Sequence, residues 1–339
     1  MTSSSSASLQ KFGDSPPKFS GRMMNLRRSD NLQPIVVMLL VLFFCIYAGY
    51  RSADFWSTLN WQLLAQPLAE AGLVSLGMMF VIASGGIDLS AGAIIGVAAV
   101  TAGVTAHHNL PVPAVEVAAL VVGSLCGAFN GLLIGVLRLS SILVTLGSMI
   151  LFSGIALAIS DGNSFAGFPD GLLWWNDAAF FGVPLEFLLF FATAAVAAVL
   201  LRYTLWGHYV IAVGSNRIAA RYSGYPVALA LFGVYTLQGL LSGMAGILLV
   251  ARLASARADM GQGLMLMAIA AVVLGGAPIV GGSASVIATL VGVAAFYIVQ
   301  DGLLLLDVPP FVQHALTAVL LLVSVATGNL LRGNREDQR

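Results

Sequence analysis

A small set of polar side chains lies inside otherwise apolar stretches of this sequence, and these residues are the best candidates for chemistry. Asp88 and Ser90 follow the pair Gly85-Gly86. Four residues further along share this character: Asn130, Thr145, Gln238 and Gln300. Hydroxyl and amide groups hydrogen-bond neutral polar molecules, and a carboxylate within a bilayer is by default a functional residue. We predict that these six side chains line a path for a polar solute.

Simpler roles are open for several of these residues. Asp and Ser are both good N-caps, so Asp88 could do no more than cap a helix that begins beside it at the membrane surface. Asn130 and Thr145 could merely hydrogen-bond neighbouring helices, which contributes about 0.6 kcal/mol each in membranes. Glu70 and Glu116 also lie inside apolar runs, where a carboxylate is expensive unless it is paired or near a surface.

Catalytic and metal-binding motifs have no support in the sequence. The only lysines are Lys11 and Lys18, and neither closes a G-x-x-x-x-G-K-[ST] phosphate loop. There is no CxxC, HxxxH or HExxH pattern that would hold a metal. We therefore expect no catalytic residue, no metal and no cofactor on this chain. If ATP drives its activity, hydrolysis must take place on another polypeptide.

The composition is that of an integral membrane protein. Of the 339 residues, 59% are hydrophobic and 9% are charged, against about 25% charged in soluble domains. A spanning helix needs roughly 20 apolar residues. The runs of suitable length lie at about 34–50, 63–84, 90–106, 114–137, 141–160, 184–201, 227–251, 265–281, 284–300 and 311–328. We predict an all-α, polytopic membrane helix bundle with about ten transmembrane helices, some of them Gly-rich broken or re-entrant segments.

The distribution of basic residues predicts the orientation. With ten spans and a cytoplasmic N-terminus, every Lys and Arg except Arg51, Arg252 and Arg257 falls on the cytoplasmic side, as the positive-inside rule requires. The polar, Ser-rich residues 1–33 are predicted to be a disordered cytoplasmic tail. Residues 34–330 then form the transmembrane permease domain, and residues 331–339 form a second cytoplasmic tail.

Two Gly-rich stretches resemble each other within the chain. The form of Ser84–Gly92 recurs in Leu274–Gly282, and each stretch follows a Val/Ile-rich run. Interrupted segments at corresponding places in two halves point to a transport path. Chance recurrence in a chain with 37 glycines is the alternative.

Small residues at four-residue spacing predict close helix packing. The pairs Gly127/Gly131 and Gly239/Gly243, together with Gly292, allow helices to meet without lipid between them. This spacing is common in membrane helices and indicates a tight bundle rather than one particular function.

Four separated segments resemble one known family. They are Ser84–Gly92 (SGGIDLSAG), Leu143–Met149 (LVTLGSM), Gly207–Gly224 (GHYVIAVGSNRIAARYSG) and Ala268–Gly276 (AIAAVVLGG). In this order they are similar to the permease subunits of ribose-type bacterial ABC sugar importers. The resemblance covers roughly residues 34–330.

The resemblance implies a function and a set of partners. Such a subunit sits in the bacterial inner membrane with both termini in the cytoplasm, and it imports a monosaccharide or a similar small polar solute, in some members a furanosyl signalling molecule. It pairs with itself or a paralogue and works with a cytoplasmic ABC ATPase, which binds ATP and Mg, and a periplasmic sugar-binding protein. Membrane lipid surrounds it, and no nucleic acid is expected.

The segment 202–226 is predicted to couple this chain to the ATPase. Asn216–Tyr222 is expected to form a short surface helix that places Arg217 and Arg221 one turn apart. The residues assigned to coupling are Gly214, Ser215, Asn216, Arg217, Arg221 and Gly224. A solvated basic loop that simply obeys the positive-inside rule is the alternative.

Departures from the family pattern keep other readings open. Ser215 stands where a Gly is frequent, Ile218 where an acidic residue is frequent, and Ser153 where an Arg is frequent. The apolar stretch 264–267 lacks the acidic pair common in the family, which favours a non-identical paralogue or an unusual substrate. The rival functions are a stand-alone secondary transporter, with a broken-helix site at Asp88 and Pro278, and an ABC permease for branched-chain amino acids.

Overall fold

The computed structural model describes residues 32–309, 311–313, 315–316 and 318–319. Its helices are α1 (Leu32–Arg51), α2 (Thr58–Ala83), α3 (Ala91–His107), α4 (Val112–Gly135), α5 (Ser141–Ser160), α6 (Asp170–Asp177), α7 (Leu185–Tyr203), α8 (Leu205–Ser215), α9 (Arg217–Tyr222), α10 (Val227–Leu253), α11 (Leu264–Leu274) and α12 (Val286–Leu305), with a 3-10 turn at Ala53–Trp56. The predicted tails, 1–33 and 331–339, lie outside the described residues apart from Leu32 and Gln33.

The predicted class of fold is confirmed. Among the described residues, seven helices are long and apolar enough to cross a membrane, namely α1, α2, α4, α5, α7, α10 and α12. Two further apolar helices, α3 with 17 residues and α11 with 11 residues, are shorter. The predicted span 265–281 is therefore a short helix followed by a glycine-rich turn. The predicted tenth span, 311–328, lies mostly outside the described residues.

Helix α2 is the centre of the bundle. Its 26 residues begin at the N-cap Ser57, whose side chain accepts a hydrogen bond from the Asn60 amide. From Leu68 to Ala83 every residue is buried, and α2 packs against α7, α10, α11 and α12. A helix that is apolar on all sides belongs in the interior of a bundle, and the long apolar sequence of α2 satisfies this condition.

Helices α4 and α10 form the most extensive pair, and small residues are the reason. A Cβ at Gly127 would lie against the Tyr235 carbonyl and 2.9 Å from the Gly239 Cα, and a Cβ at Gly243 would lie 3.5 Å from the Gly123 Cα. The two backbones therefore touch directly, as the predicted glycine spacing requires. Gly292 similarly brings α12 against Ala271 of α11.

Two small antiparallel strand pairs tie the connections together. β1 (Phe165–Ala166) pairs with β4 (Ser255–Ala256), and β2 (Ala179–Phe180) pairs with β3 (Val183–Pro184). The first pair joins the segment after α5 to the segment after α10. The connections 161–184 and 254–263 therefore lie at the same end of the bundle.

Candidate functional site

Four of the six predicted polar residues meet at the broken segment, residues 84–90, which links α2 to α3. Helix α2 ends because Gly85 adopts φ +78°, a left-handed conformation that glycine reaches without a steric penalty. The chain then runs without helix to Ser90. It is this interruption that brings Asp88 and Ser90 into the core instead of onto a helix face.

A chain of hydrogen bonds fixes this segment. Asp88 Oδ1 accepts from the Ser90 amide at 2.8 Å and from Ser90 Oγ at 2.6 Å. Asn130 Nδ2 on α4 donates to Ser90 Oγ at 2.8 Å, and Thr145 Oγ1 on α5 donates to the Ile87 carbonyl at 3.2 Å. Four of the six predicted residues therefore lie around one short segment, which they tie to α4 and α5.

Asp88 is not an exposed helix cap, because it lies inside the bundle. Asp88 is completely buried. The N-cap position of α3 is held by Ser90, whose side chain makes no cap bond. Asp88 does accept the Ser90 amide, so it shapes the start of α3, but it does so from inside the bundle. Its second oxygen, Oδ2, has no hydrogen-bond partner in the described part of the chain.

Gln238 and Gln300 are not part of this hydrogen-bonded group. Gln238 lies on α10 against Gly77 of α2, and its Nε2 donates a weak bond to Ser242 Oγ at 3.5 Å. Gln300 is half-buried near the C-terminal end of α12. The next residue, Asp301, accepts a hydrogen bond from Asn60 at the start of α2, so Gln300 lies near the opposite end of α2 from Asp88.

The two Gly-rich stretches that resemble each other are in direct contact. The Gly282 amide donates to the Ala83 carbonyl at 3.0 Å, and a Cβ at Gly281 would lie 2.6 Å from the Gly85 nitrogen. Gly281 and Gly282 have φ of +94° and +85°. The sequence predicted that these stretches share a form, but it did not predict that they touch.

The turn that ends α8 completes this contact. Gly214 packs against the Ala83 carbonyl, and a Cβ there would lie 2.7 Å from the Gly282 amide nitrogen. Ser215 Oγ donates to the Ile211 carbonyl at 2.9 Å and to the Gly282 carbonyl at 3.4 Å. We call the contact between Gly85, Gly214, Gly281 and Gly282 the glycine junction. It joins segments that are more than sixty residues apart in the sequence.

The short surface helix predicted at 216–222 is present as α9. Asn216 is its N-cap, and its Oδ1 accepts from the Ala219 amide at 2.9 Å. Only Ala220 of this helix is buried, whereas Ile218 is 70% and Tyr222 89% exposed. Arg221 is also exposed, and Gly224 takes φ +80° in the turn that follows. The surface therefore carries apolar, aromatic and basic groups side by side.

Arg217 differs from the rest of α9 because its guanidinium reaches back towards the bundle. Its Nη2 donates to the Ile134 carbonyl at the end of α4, at 3.4 Å. Partial burial is the main reason that the pKa of the Arg217 guanidinium is lowered from its ordinary value, and the charge of Arg221 lowers it further. Arg217 also lines a cavity of about 210 Å³ beside the broken segment, together with Tyr235 of α10.

An ion pair between Glu70, midway along α2, and Arg252 was predicted only in part, because the sequence indicated that Glu70 needs a partner but not which residue supplies it. Arg252 of α10 donates from Nε and Nη2 to the two carboxylate oxygens of Glu70, at 2.6 and 2.8 Å. This is the pairing that a buried Glu70 requires. Glu116 likewise accepts a hydrogen bond from Trp175 Nε1 at 2.7 Å.

Two functional candidates were missed by sequence reasoning. Glu186, in the first turn of α7, is fully buried, interacts electrostatically with Glu70 and Arg252, and has no hydrogen bond in the described ranges. We call Glu70, Arg252 and Glu186 the ion cluster. Tyr235 is also fully buried. Both residues could have been found in the sequence as a charged or hydroxylated side chain within an apolar run.

Comparison with known proteins identifies transport permeases. The family described as branched-chain amino acid transport system / permease component matches residues 64–325. The autoinducer 2 import system permease protein LsrD of Photorhabdus luminescens is 36% identical over 260 residues, which is 75% of this chain and 78% of that protein. The protein of the same name from Salmonella typhimurium (strain LT2) is 35% identical with the same coverage. No solved structure matches.

Proposed function

This chain belongs to the family of branched-chain amino acid transport system permease components, and on that premise we propose that it is the transmembrane permease subunit of an ATP-binding-cassette importer. Its solute is a monosaccharide or a similar small polar molecule, and autoinducer 2, which the relatives are named for, is the first to test. Membrane lipid surrounds residues 34–330, the permease domain. The chain lies in the bacterial inner membrane with both termini in the cytoplasm.

The partners follow from the division of labour in such an importer. A cytoplasmic ABC ATPase binds ATP and Mg and supplies the work, a periplasmic binding protein delivers the solute, and a second permease subunit, itself or a paralogue, completes the path. This chain binds no cofactor or metal of its own, performs no catalysis and contacts no nucleic acid. The absence of the family's acidic pair from residues 264–267 favours a paralogue.

The observation that carries the proposal is the arrangement of α9 on the glycine junction. Helix α9 presents Ile218, Arg221 and Tyr222 to the surface, and Asn216 fixes its start. Directly behind it, Gly214 and Ser215 touch the ends of α2 and the 275–285 turn. A partner protein that binds α9 therefore acts on both interrupted segments through Gly214 and Ser215. Gly224 allows the sharp turn that follows α9.

The polar residues around the broken segment can hydrogen-bond a neutral polar solute, and a branched-chain amino acid is the alternative substrate. The group of Asp88, Ser90, Asn130 and Thr145 offers hydroxyls, an amide and one carboxylate, and we assign to it the wall of the translocation path together with Gln238 and Gln300. Competition between sugars and leucine in whole-cell uptake separates the two substrates.

The decisive experiment is reconstitution of the chain in proteoliposomes with and without the partner ATPase. We expect uptake only when the ATPase and ATP are present, because the chain carries no nucleotide-binding loop. Robust gradient-driven uptake by this chain alone would replace the proposal with a secondary transporter.

The role of α9 has its own test in the same vesicles. Arg217→Glu combined with Arg221→Glu is expected to leave ATP hydrolysis intact and to reduce uptake about tenfold, within the range over which substitutions alter coupling. Arg138→Glu is the matched control, since Arg138 is exposed in the 136–140 connection. Unchanged uptake in the double variant, or an equal loss in the control, would count against coupling through α9.

A further inference from the structure

A groove of about 760 Å³ lies at the same end of the bundle as α9, between the last turns of α7, helix α8 and the start of α12. Its volume falls within the roughly 300–1,000 Å³ of ligand-binding clefts. The groove is open to the outside of the bundle, since Arg202, His208 and Ile287 on its walls are all exposed. Of the residues assigned a role above, only Gly282 lines it.

Two basic side chains line this groove without an acidic partner. Arg202 lies in the last turn of α7, and His208 lies in the first turn of α8. Among the described residues the only ion pairs are those of Arg252 and Arg257. The Arg202 guanidinium approaches only the Tyr203 ring, 5.9 Å from its centroid. Its hydrogen-bond donors are therefore available to a ligand in the groove.

The surroundings of these two side chains select an anion. The Nδ1 atom of His208 lies 2.7 Å from the Thr204 carbonyl, and because a carbonyl only accepts, the second ring nitrogen, Nε2, is the one left for a ligand. No Asp or Glu occurs in residues 187–258 or 260–300, and these ranges contain every segment that lines the groove. The groove therefore attracts an anion and repels a cation.

The other walls of the groove are mainly apolar, and their position identifies the kind of anion. Ala198 and Leu201 of α7 lie further from the end of the helix than Arg202, and Ile287 of α12, which is 75% exposed, lies on the same groove. A phospholipid has this order, with a charged phosphate at the membrane surface and acyl chains in the hydrocarbon. Basic pockets between membrane helices bind such headgroups. A free phosphate ion would leave the apolar walls uncovered.

We propose that this groove binds one anionic phospholipid of the cytoplasmic leaflet. Its phosphate is held by Arg202 and His208, and an acyl chain lies along Leu201 and Ile287. The inference rests on the proposed function only for the orientation, which places the end of the bundle that carries α9 in the cytoplasm.

The turn at residues 282–285 connects this lipid site to the glycine junction. Gly282 lines the groove, its amide donates to the Ala83 carbonyl at 3.0 Å, and its carbonyl accepts from Ser215 Oγ at 3.4 Å. The neighbouring Ser283 lines the same groove, and its hydroxyl can donate to a phosphate. A bound headgroup therefore contacts the turn on which the glycine junction depends.

The test is photocrosslinking in lipid nanodiscs that hold the full-length protein together with its ATPase. The probe is phosphatidylglycerol with a diazirine in one acyl chain, and mass spectrometry of the crosslinked peptides locates the labels. We expect labels at residues 197–203 and 286–291 well above the background on the exposed face of α5. Unlabelled phosphatidylglycerol should compete with the probe, whereas equal amounts of phosphatidylcholine or inorganic phosphate should not.

Removal of one charge tests recognition of the headgroup. In Arg202→Gln the mole fraction of phosphatidylglycerol that gives half-maximal labelling should rise about fivefold, as expected for the loss of one basic group beside an anionic headgroup. Arg138→Gln is the matched control, because Arg138 is also an exposed arginine but does not line the groove. It should label like the parent protein.

Filling the groove tests the place of the acyl chain. Ile287→Trp leaves both basic groups intact and should abolish labelling of the groove, because the indole takes the space of the chain. The side chain of Ile287 is exposed, so the packed core is not disturbed. Ile150→Trp on α5 is the matched control, since Ile150 is likewise 68% exposed, and it should leave labelling of the groove unchanged.

Four results would overturn the inference. They are labelling of the groove no stronger than that of α5, equal competition by phosphatidylcholine, competition by inorganic phosphate, and labelling that appears only when the ATPase is removed. The third would mark a plain anion site, and the fourth would assign the groove to the ATPase. If uptake still depends on the ATPase in these cases, the proposed transport function stands without the lipid site. Specific labelling together with uptake by the chain alone would show the reverse.

Discussion

Helix α2 is held at two levels by opposite kinds of contact. Midway along it, Glu70 makes a two-bond ion pair with Arg252 of α10, and Glu186 of α7 lies close by. At its C-terminal end, the glycine junction relies on backbone contacts and on two hydrogen bonds, from the Gly282 amide to the Ala83 carbonyl and from Ser215 Oγ to the Gly282 carbonyl. The first contact is strong and fixed by side chains, whereas the second is close but weakly bonded.

This difference indicates where the bundle is built to move. A buried ion pair is costly to break, because each separated charge would remain in a poorly solvated environment. Backbones in contact through glycine can slide or separate with the loss of only a few weak interactions. The proposed docking helix α9 adjoins the glycine junction and not the ion cluster. Work applied at α9 is therefore expected to displace the interrupted segments while the middle of α2 stays in place.

The largest effect is expected at the ion cluster. Arg252→Met leaves the carboxylates of Glu70 and Glu186 without their counter-charge and should lower the free energy of unfolding by about 3 kcal/mol. Glu70→Gln should cost less, because Glu186 can still balance Arg252. Denaturant unfolding of the purified protein measures both. Equal losses in the two variants would mean that Glu186 does not interact with Arg252. If Arg252→Met lost no stability, the ion cluster would not hold α2 more firmly than the glycine junction does.

At the glycine junction we expect a loss of function rather than of stability. Gly214→Ala places a Cβ against the Ala83 carbonyl and the Gly282 amide, so the three segments must separate. Uptake should fall about tenfold while ATP hydrolysis by the complex persists. Gly154→Ala on α5, where a Cβ meets nothing within 4 Å, is the control and should transport normally. Normal uptake by the Gly214→Ala variant would show that the glycine junction does not couple ATP hydrolysis to transport.

The smallest effects are expected at the broken segment itself. Asp88→Asn keeps an oxygen that can accept both bonds from Ser90, so stability should change by less than about 1 kcal/mol, whereas uptake should decrease because the carboxylate is lost. Ser90→Ala removes the bond to Asp88 and leaves Asn130 unpaired, at a cost of about 1–3 kcal/mol. If the Asp88→Asn variant transported at the wild-type rate, the only role left for Asp88 would be to fix the backbone at the start of α3.

The helices themselves could be predicted closely from the sequence. The run predicted at 141–160 is α5 (Ser141–Ser160), and the run at 184–201 is α7 (Leu185–Tyr203). The helix predicted at 216–222 is α9, which begins at Arg217 because Asn216 caps it. These features are local, since the length of an apolar run and a capping side chain act within a few turns of the chain.

The candidate site could be predicted only in part. Asp88, Ser90, Asn130 and Thr145 were selected as polar residues in apolar runs, and they do lie together. The same criterion also selected Gln300, which lies elsewhere, and it missed Tyr235 and Glu186. Polarity within an apolar run shows that a side chain needs a partner, but it does not say which helix face the side chain occupies.

The sequence alone therefore determined that this chain is a helical membrane protein, which segments are interrupted and which family it belongs to. Only the tertiary structure decided that Gly85, Gly214 and Gly281–Gly282 meet, that Glu70 pairs with Arg252, and that Tyr235 faces Gly86. Insertion of each helix into the membrane depends on its own hydropathy, which is a property of the residues of that segment alone. Which helices meet depends on their rotation and on close packing between residues far apart in the chain, and no local pattern specifies it.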